Sequence, residues 1–239
     1  FLVTFLYYQF NDQSYSPVAE GMSALKSGYI QESDKPKAEK PSPQDKPEPQ
    51  PSGDYATSRL NYLKSCYHRT DCGYPSNREQ ARRLIGEDIH NELLVMLEKW
   101  KIGKLSENAI RNAGIEYLQH PDGLVQEASI QLLAHLQPTP KSFESIIAAM
   151  QDSHDEKIIT LTLYELQRYL PLGYGERIHS AVAQTLLHGN SLNANVIAKN
   201  LGAYLSPETI YSYRQLLSKI PKQSRTYQSL QNTISNYSQ

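Results

Sequence analysis

Cysteine, tryptophan and glycine are scarce in this chain: two Cys, one Trp and twelve Gly among 239 residues. Two cysteines exclude a disulfide-dense scaffold, and so little glycine excludes a collagen-like repeat. An excess of one charge is also missing, since 24 Lys and Arg face 25 Asp and Glu for a formal net charge of −1. A generic nucleic-acid binder carries a basic excess to neutralise phosphates, so the balance argues against nucleic acid as a partner. There is no long hydrophobic run. The apolar stretch from Phe1 to Phe10 falls well short of the roughly 20 residues that cross a bilayer. The sequence holds no H-E-x-x-H, no G-x-S-x-G, no phosphate-binding Gly loop and no G-x-G-x-x-G, and its seven histidines are scattered. We therefore expect no enzyme activity, no metal, no cofactor and no small-molecule substrate.

What is present divides into segments. Residues 1–10 begin with Phe rather than Met and are uncharged. They read as the end of a transmembrane helix, with Tyr7, Tyr8 and Phe10 as its interfacial aromatic belt. A signal-peptide remnant, which would lack a clear A-x-A cleavage site, and an ordinary apolar element of a soluble protein are the alternatives. In the juxtamembrane stretch 11–30, Val18, Met22 and Leu25 have the spacing of a short amphipathic helix. Residues 31–54 hold six prolines (Pro36, Pro41, Pro43, Pro47, Pro49, Pro51) and a single apolar residue, Ala38, among alternating lysines and acids. Such a linker cannot bury a core and stays extended, reaching up to ~70 Å. It resembles the spacers with which bacterial envelope proteins reach across the periplasm.

From Tyr55 the pattern is helical, so the fold class is all-α. The N-terminal helices over 55–104 begin with Leu60, Leu63 and Tyr67 on one face. After the turn Cys72-Gly73-Tyr74-Pro75, Ser76 and Glu79 have capping-box spacing, and Ile85, Ile89, Leu93, Met96, Leu97 and Trp100 form a stripe that Gly103 ends. Cys66 and Cys72 have three readings. A zinc site would add only His68 and lack a fourth ligand. Two free thiols suit a reducing compartment. A disulfide suits an oxidising one and fits the upstream membrane segment.

Residues 105–239 repeat themselves. Leu124–Leu136, Ile158–Leu170 and Asn193–Leu205 align on their terminal leucines, with Leu132, Leu166 and Leu201 four residues earlier and Pro138, Pro171 and Pro207 following. Each is paired with a neighbouring helical segment: 109–118, 143–150, 178–187, 210–220 and a final one carrying Tyr227, Leu230, Ile234 and Tyr237. Ser153 with Glu156, Thr139 before Pro140 and Ser206 before Pro207 mark helix starts. Helix pairs of this period bury their faces only by stacking. With the turns Pro121-Asp122 and His154-Asp155 ahead of apolar helices ending in Leu, the region resembles a HEAT-type α-solenoid, covering roughly 105–237. The resemblance implies a scaffold that binds protein.

Some bacterial alkylpurine DNA glycosylases are HEAT-like solenoids of about this size, so a soluble HEAT-like enzyme or nucleic-acid-binding protein is the alternative function. From Tyr55 onward, 19 Lys and Arg against 17 Asp and Glu give little attraction for phosphate. His120-Pro121-Asp122 matches the co-chaperone tripeptide but stands in a repeat turn. The bases Arg214, Lys219, Lys222 and Arg225, with Tyr204, Tyr211 and Tyr213, concentrate at the C-terminal end, where only one acid, Glu208, follows Lys199. Tyrosine and arginine favour interfaces, and an end repeat is expected to leave an apolar-aromatic edge uncovered. These seven residues are the candidate protein-binding site; the competing reading makes the tyrosines half-buried core. Together the features lead us to expect a non-catalytic scaffold, tethered to a bacterial inner membrane by its N-terminal helix, with the solenoid in the periplasm and a partner protein of the cell envelope.

Overall fold

The computed structural model describes residues 54–69 and 72–237, all within the unit Pro47–Gln239. The expected membrane-helix end (1–10), the juxtamembrane segment (11–30) and nearly all of the Pro-rich linker (31–54) lie outside the described residues. Within them the fold is all-α, with ten helices, two short 3-10 turns and no strand.

The helices are α1 Asp54–His68, α2 Arg78–Lys101, α3 Glu107–Tyr117, α4 Gly123–Ala134, α5 Pro140–Asp152, α6 Glu156–Gln167, α7 Gly175–His188, α8 Ser191–Asn200, α9 Ile210–Leu217 and α10 Arg225–Tyr237. Side chains that accept orphan backbone N–H groups set most of the starts. Ser106 caps α3, Thr139 caps α5 ahead of Pro140, and Asn190 caps α8. Two caps differ from the expected ones. Asn77, not Ser76, accepts from the Gln80 N–H at 2.9 Å and starts α2. Asp155, not Ser153, accepts from the Lys157 and Ile158 N–H groups. Its charge also complements the helix dipole, which a serine hydroxyl does not. A third start moves further. Ser206 and Thr209 bond each other reciprocally, side chain to backbone N–H, and α9 begins only at Ile210. That local turn competes with helix formation after Pro207. Gly103, at φ +73, ends the α2 segment as expected, in a conformation few other residues adopt without strain.

Helices α1 to α4 pack in succession, α5 pairs with α6, α7 with α8 and α9 with α10, and each of α2 to α8 also packs on the helix two ahead. The even-numbered helices form one series, α2 on α4 on α6 on α8 on α10; the odd-numbered form another, α3 on α5 on α7 on α9. The repeat leucines sit where these series meet: Leu132, Leu166 and Leu201 are fully buried. Two apolar clusters result. One joins α1–α4, and the other runs from the end of α3 to α10. Helix α4 serves both, sending Val125, Ala128 and Leu132 to the first and Ile130 and Leu133 to the second.

Polar side chains also join helices that are not adjacent in the chain. The Arg168 guanidinium donates to the Leu136 carbonyl at 2.6 Å and to Glu165 at 2.5 Å, fastening the ends of α4 and α6. Asn193 of α8 donates to the Gln151 carbonyl of α5 at 2.6 Å. Lys157 of α6 reaches Glu127 of α4 at 2.6 Å, and Lys199 of α8 stands 3.9 Å from Glu156 of α6. The exposed pairs each contribute well under about 1 kcal/mol, so packing of the apolar faces holds the stack.

Candidate functional site

The seven residues expected to bind protein divide between core and surface. Tyr204 is 3% exposed and its hydroxyl donates to the Leu163 carbonyl of α6. Tyr213 is equally buried, with its hydroxyl 2.7 Å from His179 Nδ1. Burial lowers the His179 pKa and raises that of Tyr213, so both groups are held in their neutral forms. Both tyrosines therefore leave the candidate surface. Each carries its polar tip to a hydrogen-bond partner inside the fold, which lets a large ring fill the core without an unpaired hydroxyl.

The other five stay outside. Tyr211 is 66% exposed, and Arg214 is exposed one turn further along the same face of α9. Tyr213, Leu216 and Ile220 turn inward, so the 3.6-residue period separates the two faces. Lys219 and Lys222 are exposed in the turn between α9 and α10, and Arg225 opens α10. Among the described residues Lys219, Lys222 and Arg225 have no acidic partner. The background charge sharpens the contrast. Residues 55–208 hold 15 bases and 17 acids, whereas residues 209–239 hold four bases and no acid.

The end of the stack is not apolar, contrary to the expectation of an uncovered aromatic edge. Helix α10 buries Thr226, Leu230 and Ile234 against α8 and exposes Gln228, Gln231, Asn232, Ser235 and Asn236 on its outward side. Ser229 and Thr233 bond Asn195 and the Ala198 carbonyl, which fixes this orientation. Charges and aromatic rings in the sequence do not mark this amide face. The available signal was the spacing of Gln228, Asn232 and Asn236, four residues apart on one side of a helix.

The other features singled out in the sequence have structural partners. Cys66 and Cys72 are joined as a disulfide, Cα atoms 5.7 Å apart, with Cys66 fully buried. His120 is buried edge-on against Tyr67, ring centroids 4.5 Å apart. Its Nδ1 accepts from the Asp122 N–H, and burial pushes its pKa down to about 4. His154 Nδ1 faces the Asp152 carbonyl at 2.9 Å. A shallow, open depression near Tyr67 is lined by Asp122, Asp155, Glu127 and Lys157. Its acids are already engaged: Asp122 and Asp155 cap helices and Glu127 holds Lys157. Among the described residues no group of three or more His, Cys, Asp or Glu is placed to hold a metal ion, and no helix is long and apolar enough to cross a membrane.

No family model, no curated protein and no solved structure matches this chain.

Proposed function

We propose that the chain is a non-catalytic adaptor of the bacterial cell envelope. Its N-terminal apolar segment anchors it in the inner membrane, and the Pro-rich linker carries a HEAT-like α-solenoid into the periplasm. The C-terminal end of the solenoid then holds another envelope protein. The alternating packing of even- and odd-numbered helices supports the solenoid reading, because helix pairs that stack in register make these contacts. The Cys66–Cys72 disulfide supports an oxidising compartment.

The observation that carries the reading is the uncompensated cation cluster of Lys219, Lys222 and Arg225, on a face whose last 31 residues contain no acid. A protein with no need to attract a partner would intersperse acids there, as the rest of the chain does. The test is capture of the native partner from membranes by the full chain, before and after reversing Lys219, Lys222 and Arg225 to Glu. We expect capture to fall while the melting temperature stays nearly constant, since exposed charges add little stability. Undiminished capture would move the contact elsewhere.

A further inference from the structure

The four amide side chains on the outward side of α10, those of Gln228, Gln231, Asn232 and Asn236, are exposed and make no hydrogen bond within the described residues. At one end of that face lie Lys219, Lys222 and Arg225; beyond Arg225 the helix carries no charge at all. The surface thus has two parts, a cationic head at the α9–α10 turn and a neutral strip of paired donors and acceptors running away from it. We propose that this surface binds an extended acidic segment of a partner polypeptide, carboxylates on the turn and backbone along α10. The inference rests on the C-terminal contact reading above.

The division of charge decides between classes of partner. A nucleic acid presents a phosphate at every residue and needs cations along its whole track. Here the cations stop at the first residue of α10. A membrane surface would also reward cations, but a peripheral helix holds it with bulky apolar side chains. From residue 206 to the end of α10 the exposed large apolar residues among the described ones are two tyrosines, Tyr211 and Tyr237, one on each helix, and no aliphatic face accompanies them. A polypeptide in extended form offers an N–H and a C=O at each residue, the complement of side-chain amides. Helix α10 has 13 residues, about 20 Å, which matches roughly six extended residues. Helix α10 holds no acid, and among the described residues none pairs with Lys219, Lys222 or Arg225, so these cations are open to an outside acid.

The experiment uses the full chain and a fluorescein-labelled peptide of repeating Glu-Asp-Gly, with the Gln-Asn-Gly peptide as control, read by fluorescence anisotropy. We expect saturable binding of the acidic peptide, weakened about tenfold by the neutral substitution and by Lys219→Glu with Lys222→Glu and Arg225→Glu. Gln228→Ala with Asn232→Ala is expected to weaken it about threefold without altering its salt dependence, which a purely electrostatic surface would not show. Arg225→Glu places an acid in the first turn of α10, where the helix dipole favours it, so folding is preserved. Equal binding of the neutral peptide overturns the proposal. So does tighter binding of phosphatidylglycerol vesicles or of single-stranded DNA, or self-association of the chain that the reversals abolish. If the acidic peptide fails to bind while the reversals still abolish partner capture, the surface stands and its acidic occupant is wrong. If the peptide binds while partner capture is untouched by the reversals, the contact reading fails, and with it the claim that the peptide mimics the partner.

Discussion

The Asp122 carboxylate, which caps α4, lies against Gly86 of α2 so closely that a Cβ on Gly86 would sit 2.3 Å from its Oδ2. The relationship recurs one helix along: a Cβ on Gly123 of α4 would sit 2.8 Å from Oδ2 of Asp155, the cap of α6. Each capping aspartate is thus also the stop that sets how closely one even-numbered helix approaches the next.

The first prediction follows from that contact. Gly86→Ala gains about 1 kcal/mol of helix propensity and loses about 1–3 kcal/mol to the clash. We expect a net loss in urea denaturation, and a smaller one when Asp122→Ala removes the obstructing carboxylate, as for any pair in contact. Stabilisation by Gly86→Ala alone would show that the two helices have room to part.

The second concerns pH. Burial raises the Glu165 pKa from 4.5 to about 7, although Arg168 pulls it the other way. The folded state therefore holds that proton more tightly than the unfolded chain, and stability falls as pH rises from 4.5 through 7. His120 runs in the opposite sense. Its folded pKa of about 4 lies below the ordinary 6.5, so stability is lost as pH falls from 6.5 through 4. Each is worth up to about 3 kcal/mol. The two slopes oppose each other between pH 4.5 and 6.5. Replacing Glu165 by Gln should therefore leave stability rising steadily across that window. A chemical-denaturation midpoint that stays flat in the variant would refute this.

The third separates core from contact at the C-terminal end. Tyr204→Phe removes the buried bond to the Leu163 carbonyl and should cost about 1 kcal/mol while leaving partner capture unchanged. Tyr211→Ala should do the reverse, within about 0.5 kcal/mol of the parent in stability. Were Tyr204→Phe to weaken capture at unaltered stability, its place in the core would be wrong.

The fourth concerns the disulfide. Cys66→Ser with Cys72→Ser should lower stability by about 2 kcal/mol on the chain-entropy account of a short loop. The native protein, denatured without reductant, should show no thiol reactive to a maleimide. Two reactive thiols per chain would remove the support that this pair gives to an oxidising compartment.

Much of the helical order was legible along the chain because the period of Leu132, Leu166 and Leu201 and the runs around them are local, and burial followed the same spacing. The cysteine pair was legible for a related reason: the two lie six positions apart in the chain, so the short loop between them leaves few other geometries. Cap choice was less so. Ser76 and Asn77 are both good caps, as are Ser153 and Asp155, and a shift of one or two residues in the turn decides which side chain reaches the free N–H groups.

The sequence by itself determined an all-α module, since apolar spacing and the scarcity of glycine leave little else for these residues to form. Which tyrosines are surface was decided only by the tertiary structure. Tyr204 and Tyr211 stand in chemically similar surroundings seven residues apart. The short 3-10 turn Leu201–Tyr204 swings the first onto the Leu163 carbonyl of α6, and the period of α9 turns the second to water. Burial depends on what a distant helix places opposite a residue, and local spacing carries no record of that.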